Sequence, residues 1–304
     1  QWQKEIEGMY AEIDKMEKSY QLEEVLMTKE MKADRLAEIA KKRDTAKKYQ
    51  NKIFGYEGLL FLKRQELIKP VQDKIYEAVE KISSGDSLKK NEIKEVFLSI
   101  MNNKCNDAEI ISFLMTLKTK GETVEEISGA AEVLREMCQK LELPSDQLVD
   151  TCGTGGDGQN TFNISTASAI VAAAAGVKIA KHGNKSISSK SGSADLLEYS
   201  GINIDLDEEQ AKKCFDENGI TFMFAPKYHK AMKSVSTVRK NIKTRTIFNV
   251  LGPLSNPANA NFQILGVYDK KLVLPIAEVI KDLGVKRAMV VHSEEGLDEI
   301  SCEK

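Results

Sequence analysis

Sixteen of the 19 glycines, five of the six prolines and all five cysteines lie beyond residue 82. The first 82 residues carry instead 17 basic and 16 acidic side chains, with only Gly8, Gly55 and Gly58. Glycine supplies tight turns and close backbone approaches, so its scarcity favours long helices and its abundance favours loops. The contrast predicts two architectures in one chain. In the N-terminal part Trp2, Ile6, Met9, Ile13, Met16 and Tyr20 recur at steps of four and three. This heptad spacing keeps an apolar stripe against a partner helix. Met27 and Met31 extend the register, which slips and resumes at Leu36 and Ile39, with weaker support from Ala46 and Ile53. The slip reads as a stutter. Phe54-Gly55-Tyr56-Glu57-Gly58 predicts a helix break. A second helix follows through Leu59, Leu60, Leu62, Leu67, Ile68, Val71, Ile75 and Val79, with Pro70 as a kink or a restart.

The 304 residues are 41% hydrophobic and 30% charged, which excludes collagenous, disordered and membrane-spanning classes. No apolar run approaches the roughly 18 residues of a transmembrane helix. A net charge of -2 supplies no global field for nucleic acid or an anionic membrane. Any bound anion therefore needs a local site. Cys105, Cys138, Cys152, Cys214 and Cys302 form no CxxC pair and are odd in number, as expected of a reduced cytoplasmic protein. The sequence opens at Gln1 without a signal-type segment and is expected to be a fragment, a mispredicted gene or a chimera.

Beyond residue 86 three amphipathic helices are expected, over 91–101, 107–117 and from Thr123, where Glu126 completes a capping-box spacing after Gly121. From residue 148 short apolar runs alternate with helices. Strands are expected at 148–151, 177–180, 221–224, 262–267 and 288–292, and helices near 166–175, 208–218, 229–240 and 272–283. This alternation predicts a largely parallel sheet covered by helices.

The chemistry concentrates at two of the strand ends. Gly153-Thr154-Gly155-Gly156-Asp157-Gly158 has four glycines in six residues, so backbone N–H groups can approach an anion unobstructed. It precedes a helix starting at Asn163-Ile164-Ser165-Thr166, whose N-terminus adds donors and a positive dipole end. A phosphate or pyrophosphate cradle is the favoured reading. The loop lacks the ending of a P-loop and the spacing of a dinucleotide-binding turn. The next strand delivers a lysine- and serine-rich stretch, 181–195, beside it, at the carboxyl ends where parallel sheets bind ligands. Further on, Val290-Val291-His292 runs into Ser293-Glu294-Glu295-Gly296-Leu297-Asp298-Glu299, an acidic loop at a strand end suited to Mg²⁺ together with phosphates. His182, His229 and His292 show no zinc-ligand spacing.

Two resemblances add to this reading. Residues 1–82, and in particular FGYEGLLFLKRQELIKPVQDKIYEAVEKI, resemble the returning coiled-coil arm of OmpH/Skp-like periplasmic chaperones. DTCGTGGDG with TFNISTA, KHGNKSISSKSGSADLLE, RTIFNVLGPLSNP and GLDEIS, in that order over about residues 75–304, resemble the anthranilate phosphoribosyltransferases. The pyrimidine nucleoside phosphorylases share the fold plan but carry a different glycine loop. The second resemblance implies an α/β large domain of nucleoside phosphorylase/phosphoribosyltransferase type with a small all-α domain, here preceded by an α-helical coiled-coil hairpin. The segments expected are 1–82 for the hairpin, 83–145 for the helical domain and 146–304 for an α/β domain incomplete at its C-terminus.

The resemblance also implies transfer of phosphoribosyl from phosphoribosyl pyrophosphate (PRPP) to the amine of anthranilate, with Mg²⁺, in tryptophan biosynthesis. It places PRPP on Gly153, Gly156, Asp157, Thr161, Asn163, Ile164, Ser165, Thr166, Lys181, His182, Gly183, Asn184, Lys185, Ser186, Ile187, Ser188, Ser189 and Ser193. Anthranilate falls to Gly153, Asn184 and Arg239, with Arg239 on its carboxylate, and the metal to Ser165, Asp298 and Glu299. No general base is assigned. The family implies a dimer, although the coiled coil can impose another number. Alternatives are a catalytically silent coiled-coil binding module and a pyrimidine nucleoside phosphorylase. Two departures from the family stand out: Lys185 replaces the usual arginine, exchanging a fork for a point charge, and the sequence ends just after GLDEIS. An open sheet edge and uncovered apolar surface are therefore expected.

Overall fold

A computed structural model describes residues 1–159, 161–186 and 191–301. It divides into two compact units, Gln1–Val71 and Gln72–Lys304.

In the first unit, α1 (Trp2–Glu23) and α2 (Lys29–Phe54) are joined by a single 3-10 turn at Glu24–Leu26. Thr28 starts α2, its hydroxyl accepting from the Met31 N–H at 3.3 Å. The chain therefore reverses at 24–28, and the slip in the heptad is a hairpin turn rather than a stutter. Cross-helix partners run antiparallel. The Tyr49 hydroxyl donates to Glu5 (2.6 Å), the Tyr10 hydroxyl to Gln50 (2.9 Å), and Lys42 and Arg43 pair with Glu12 and Glu17. Ile13, Ile39 and Ala46 are buried between the helices with Met9, Met16 and Tyr20 around them. Each stripe covers the other, whereas Met31 and Leu36, expected to continue the first stripe, are exposed. The break at 54–58 is real: Gly55 ends α2, and α3 (Leu59–Ser83) begins after Gly58. Pro70 lies inside α3 and does not restart it.

The second unit continues with α4 (Lys90–Met101), α5 (Asp107–Lys120) and α6 (Val124–Met137). Asn106 and Thr123 cap α5 and α6 with full capping boxes, as the Thr123–Glu126 spacing predicts. Buried Glu126 also accepts from the Leu88 N–H and pairs with Lys120. Phe97 sits edge-on to Phe113 and packs against Phe248, so this helical layer rests on the α/β layer.

The α/β part comprises β1 (Val149–Gly153), α7 (Ile164–Ala174), β2 (Ile179–Gly183), α8 (Ser193–Tyr199), α9 (Glu208–Asn218) and β3 (Ile220–Phe224). There follow α10 (Ala225–Tyr228), α11 (Ser236–Ile242), α12 (Phe248–Leu254), β4 (Phe262–Gly266), α13 (Val273–Asp282) and β5 (Arg287–Val291). The sheet is wholly parallel in the order β3-β2-β1-β4-β5. The chain moves outward from β1 to β2 and β3, then returns to its other side for β4 and β5. The switch point therefore lies between β1 and β4, where a doubly wound sheet opens a crevice at its carboxyl end. Leu148, Ala180, Phe215, Met223 and Tyr228 share one buried apolar cluster. Among the described residues β5 is an edge strand, with Met289 half exposed and Val171 on α7 bare.

Candidate active site

β1 runs out at Gly153 into a loop of left-handed glycines: φ is +65° at Gly155, +78° at Gly156 and +79° at Gly158. L-residues rarely adopt this backbone, so the turn requires glycine there. Close approach explains Gly153 and Gly266 at the ends of β1 and β4. A Cβ on Gly153 would lie 2.8 Å from Asp298 Oδ2, and one on Gly266 would overlap the Asp298 carbonyl. The segment after β5 is thus seated on the switch point. Asp298 Oδ2 accepts from the Gly155 N–H at 2.8 Å, and the Asp298 N–H faces Asp157 Oδ2 at 3.5 Å.

The three residues expected at the metal come together. Ser165, in the first turn of α7, donates through Oγ to Glu299 Oε1 at 2.8 Å, beside Asp298. Thr151 on β1 donates to the Ser165 carbonyl at 2.8 Å, which fixes the helix start against the strand. Asn163 is the N-cap residue of α7 and its amide reaches Ser191 at 3.3 Å; Ile164 and Thr166 flank Ser165, and Thr161 is exposed in the approach.

The second loop is more varied. Lys181 is only 3% exposed, and its ammonium donates to the Thr151 carbonyl at 2.5 Å, beneath β1. His182 is 6% exposed and packs against His229, with ring centroids 5.0 Å apart and the ring planes tilted by 49°. Gly183 leaves no room for a Cβ because of the Ser193 hydroxyl. Asn184 is exposed and accepts from the Lys185 N–H at 2.8 Å. Lys185 pairs with Glu198 on α8 at 2.7 Å, and the Ser186 N–H donates to Asp195 at 2.9 Å. Ile187, Ser188 and Ser189 lie outside the described residues. Arg239, on α11, is half-buried with its guanidinium over the Phe248 ring at 5.5 Å.

Burial raises the Asp298 carboxyl above the usual range and the neighbouring Asp157 charge raises it further. Glu299 is raised by burial and then by Asp298, against the Ser165 hydrogen bond. Beneath them burial pushes both Asp150 and Lys181 toward their neutral forms, and their mutual attraction opposes this. Burial lowers Arg239, and no carboxylate among the described residues offsets it. Asp298 and Glu299 thus crowd one another, and Arg239 is left without an ion-pair partner among the described residues. Among the described residues no group of three or more His, Cys, Asp or Glu side chains can hold a metal by itself. Asp298, Glu299 and the Ser165 hydroxyl nevertheless fit Mg²⁺, which takes oxygen ligands, one or two of them carboxylates, together with substrate phosphates.

Sequence reasoning gave no role here to Asp150, His229, Arg245 or Tyr268. Asp150 accepts from the His182 N–H at 3.3 Å, and among the described residues its Oδ2 has no hydrogen-bond partner, nor have the Nε2 atoms of His229 and His182. Arg245 donates to the Gly156 carbonyl and lies over Tyr268. A carboxylate within an apolar strand was the available signal for Asp150. No spacing could connect Arg245 to a loop 89 residues earlier.

Residues 145–303 match the glycosyl transferase family, a/b domain, and residues 76–138 its helical bundle domain. Anthranilate phosphoribosyltransferase of Persephonella marina is 54% identical over 228 residues, spanning 75% of this chain and 67% of the relative. The chain belongs to the anthranilate phosphoribosyltransferase family. The same enzyme of Clostridium kluyveri is 52% identical over 74% of this chain and 67% of its own length. Among solved structures, anthranilate phosphoribosyltransferase of Thermus thermophilus superposes with a TM-score of 0.70 at 41% identity, covering 73% of this chain and 67% of that one. The Saccharomyces cerevisiae enzyme in complex with PRPP and Mg also gives 0.70, at 34% identity over 75% of this chain and 68% of its own. Residues 1–89 match the outer membrane protein (OmpH-like) family. The transferase family resemblance therefore covers the second unit's motifs, and these relatives do not favour the silent coiled-coil module or the pyrimidine phosphorylase. No helix among the described residues is long and apolar enough to cross a membrane.

Proposed function

We propose that this chain transfers the phosphoribosyl group of PRPP to the amine of anthranilate and releases pyrophosphate. The observation that carries the reading is the left-handed glycine loop at the β1/β4 switch point, with the Asp298 carboxylate bonded to its Gly155 N–H and the Ser165–Glu299 pair alongside. In this reading the loop from Gly153 to Asp157, the α7 start from Asn163 to Thr166, and the 181–186 and Ser193 backbone and hydroxyls hold the donor's phosphates. Arg239 binds the acceptor carboxylate, with Gly153 and Asn184 flanking the ring. Ser165, Asp298 and Glu299 hold Mg²⁺, which when bound supplies charge neutralisation of the diphosphate.

The anthranilate nitrogen forms a bond to the ribose anomeric carbon as the carbon–oxygen bond to pyrophosphate breaks. The electron pair leaves with pyrophosphate, and the amine gives up one proton. The chain's own contribution is positioning and electrostatic stabilisation. Backbone donors fixed by left-handed glycines meet charge that grows on the leaving group without needing to reorganise. A neutral amine already attacks an oxocarbenium-like carbon, so no strong base is required.

Homo-oligomeric assembly and a reducing cytoplasmic location accompany this proposal. The exposed Leu59, Leu60, Phe61 and Leu62 on α3 support the first, and free Cys105, Cys138, Cys152 and Cys214 the second. The test is loss of anthranilate fluorescence in the purified protein. Loss that requires both PRPP and Mg²⁺ is expected. No loss, with no PRPP-induced rise in melting temperature, would refute the reading.

A further inference from the structure

Arg245 belongs to the Arg-Thr-Ile-Phe-Asn stretch, to which the transferase reading gives no task. Its guanidinium carbon stands 4.1 Å from the centroid of the Tyr268 ring, and Nη2 donates to the Gly156 carbonyl. The segment bearing it is fixed on both flanks. Lys118 of α5 donates to the Thr244 hydroxyl, and the Thr246 N–H donates to Asn249 Oδ1 at 2.9 Å. The arginine is therefore pre-placed rather than free to search.

The glycine loop it reaches is tethered residue by residue. The Thr154 N–H donates to the Gly266 carbonyl at 2.9 Å, and the Thr154 hydroxyl accepts from the Tyr268 N–H at 3.0 Å. The Gly155 N–H is taken by Asp298 at 2.8 Å. Gly156, at φ +78°, has no side chain and little conformational preference of its own. Its contact with Arg245 supplies the missing tether. A trans peptide directs its carbonyl and the following N–H to opposite sides. Holding the Gly156 carbonyl toward Arg245 therefore turns the Asp157 N–H to the opposite side of the loop. An arginine suits the task because its planar fork can stack on a ring and donate in its own plane at once, which an ammonium cannot do.

We infer that Arg245, seated on Tyr268, is a positioning residue that sets the Gly156–Asp157 peptide for the donor's phosphates. The inference rests on the reading of this loop as the PRPP cradle. Arg245→Ala in the full chain is expected to raise the KM for PRPP, and the Kd for PRPP or inorganic pyrophosphate with Mg²⁺, by about tenfold or more, the scale of one charge-assisted hydrogen bond. The KM for anthranilate at saturating PRPP should stay within about twofold of the starting value. Tyr268→Leu removes the ring face and should follow Arg245→Ala, and Tyr268→Phe should recover most of the loss. The two lesions should not add, since each breaks the same clamp.

Hydrogen exchange on the ligand-free protein separates this inference from the transferase reading. In Arg245→Ala, exchange over 153–158 should accelerate about tenfold while α4 to α6 keep their rates. Unaltered exchange there overturns the clamp whatever the enzyme assay shows, as does an equal rise in both KM values. Accelerated exchange in a protein whose unsubstituted form binds neither PRPP nor pyrophosphate leaves the clamp standing as a loop tether, but overturns its role in holding the donor and refutes the transferase reading.

Discussion

Replacing Arg239 by alanine should separate the acceptor side of the site from the donor side. Burial lowers the guanidinium's pKa, no carboxylate among the described residues compensates it, and one face is occupied by the Phe248 ring at 5.5 Å. In the ligand-free protein the alanine variant loses a cation–π contact of about 0.5–1 kcal/mol. It also sheds a desolvation penalty of opposite sign. Ligand-free stability should therefore change by no more than about 1 kcal/mol. Binding is different, because a carboxylate arriving at a half-buried guanidinium gains a charge-assisted and often bidentate pair. The loss of about 1.5–3 kcal/mol corresponds to a KM for anthranilate raised roughly 10- to 150-fold. Arg239→Lys keeps the charge but loses the fork, and should fall between the two. The assay is the rate of anthranilate fluorescence loss at saturating PRPP and Mg²⁺, with a melting curve of the ligand-free variant. An unchanged KM for anthranilate, or a matching rise in the KM for PRPP, would refute the assignment of Arg239 to the acceptor.

Three further outcomes follow from the same geometry. Burial first, and then Asp157, raises the folded-state pKa of Asp298 above its ordinary value. Its stabilising contribution is therefore full below about pH 3.8 and is lost as pH rises through the raised value. At neutral pH Asp298→Asn should leave the ligand-free melting temperature unchanged or higher, yet shrink the Mg²⁺-dependent shift produced by PRPP; an undiminished shift removes the metal assignment. Gly266→Ala drives a methyl group into the Asp298 carbonyl and should cost about 1–3 kcal/mol by overpacking while abolishing that same shift. A melting temperature like that of the parent protein would show that the segment after β5 does not sit there. Burial pushes His182 down to about 3 and His229 to about 4. With folded pKa values below the unfolded 6.5, each stabilises above pH 6.5 and loses that contribution as pH falls through its folded value. Between pH 7 and pH 5 this amounts to about 2 kcal/mol per ring. A flat melting temperature across that range, or a slope that His229→Asn fails to reduce by about half, would contradict it.

The elements that the sequence makes legible are those with strong local chemistry. Thr123 and Glu126 announce the start of α6 to the residue because a capping box is satisfied within four positions. β3, β4 and β5 are readable because each is an apolar run too short for a helix, and they begin within a residue of expectation, whereas β2, with Lys181, His182 and Gly183 in its second half, runs over 179–183 rather than 177–180. The hairpin turn at 24–28 is not legible: Glu23, Glu24, Val25 and Leu26 have no glycine or proline among them, and a 3-10 turn followed by a threonine cap looks the same in sequence as a shifted heptad. α8 and α12 go unread because each has only seven residues and α12 contains Pro253. Of the site, the glycine loop declares itself because left-handed backbone demands one residue type. Its support from Arg245, Tyr268 and Gly266 does not, because contacts across a fold leave no spacing to read.

That division has a physical consequence for the ligand-free protein. The loop's donors belong to the backbone and are positioned by contacts from β4, from the segment after β5 and from the segment after α11. Asp157, Asp298 and Glu299 crowd the loop, while Arg239, over the Phe248 ring, has no carboxylate partner among the described residues. Carboxylates raised by burial and a guanidinium lowered by it each cost stability, and each is relieved by an opposite charge. On the proposed reading a metal would relieve the first and an acceptor carboxylate the second, so both ligands would draw part of their affinity from that cost. The stabilisation by PRPP with Mg²⁺ should therefore fall when salt screens the site, and it should exceed that by PRPP alone at equal free concentration. Equal shifts with and without Mg²⁺ would mean that the carboxylates are structural neighbours of the cradle and no part of its charge balance.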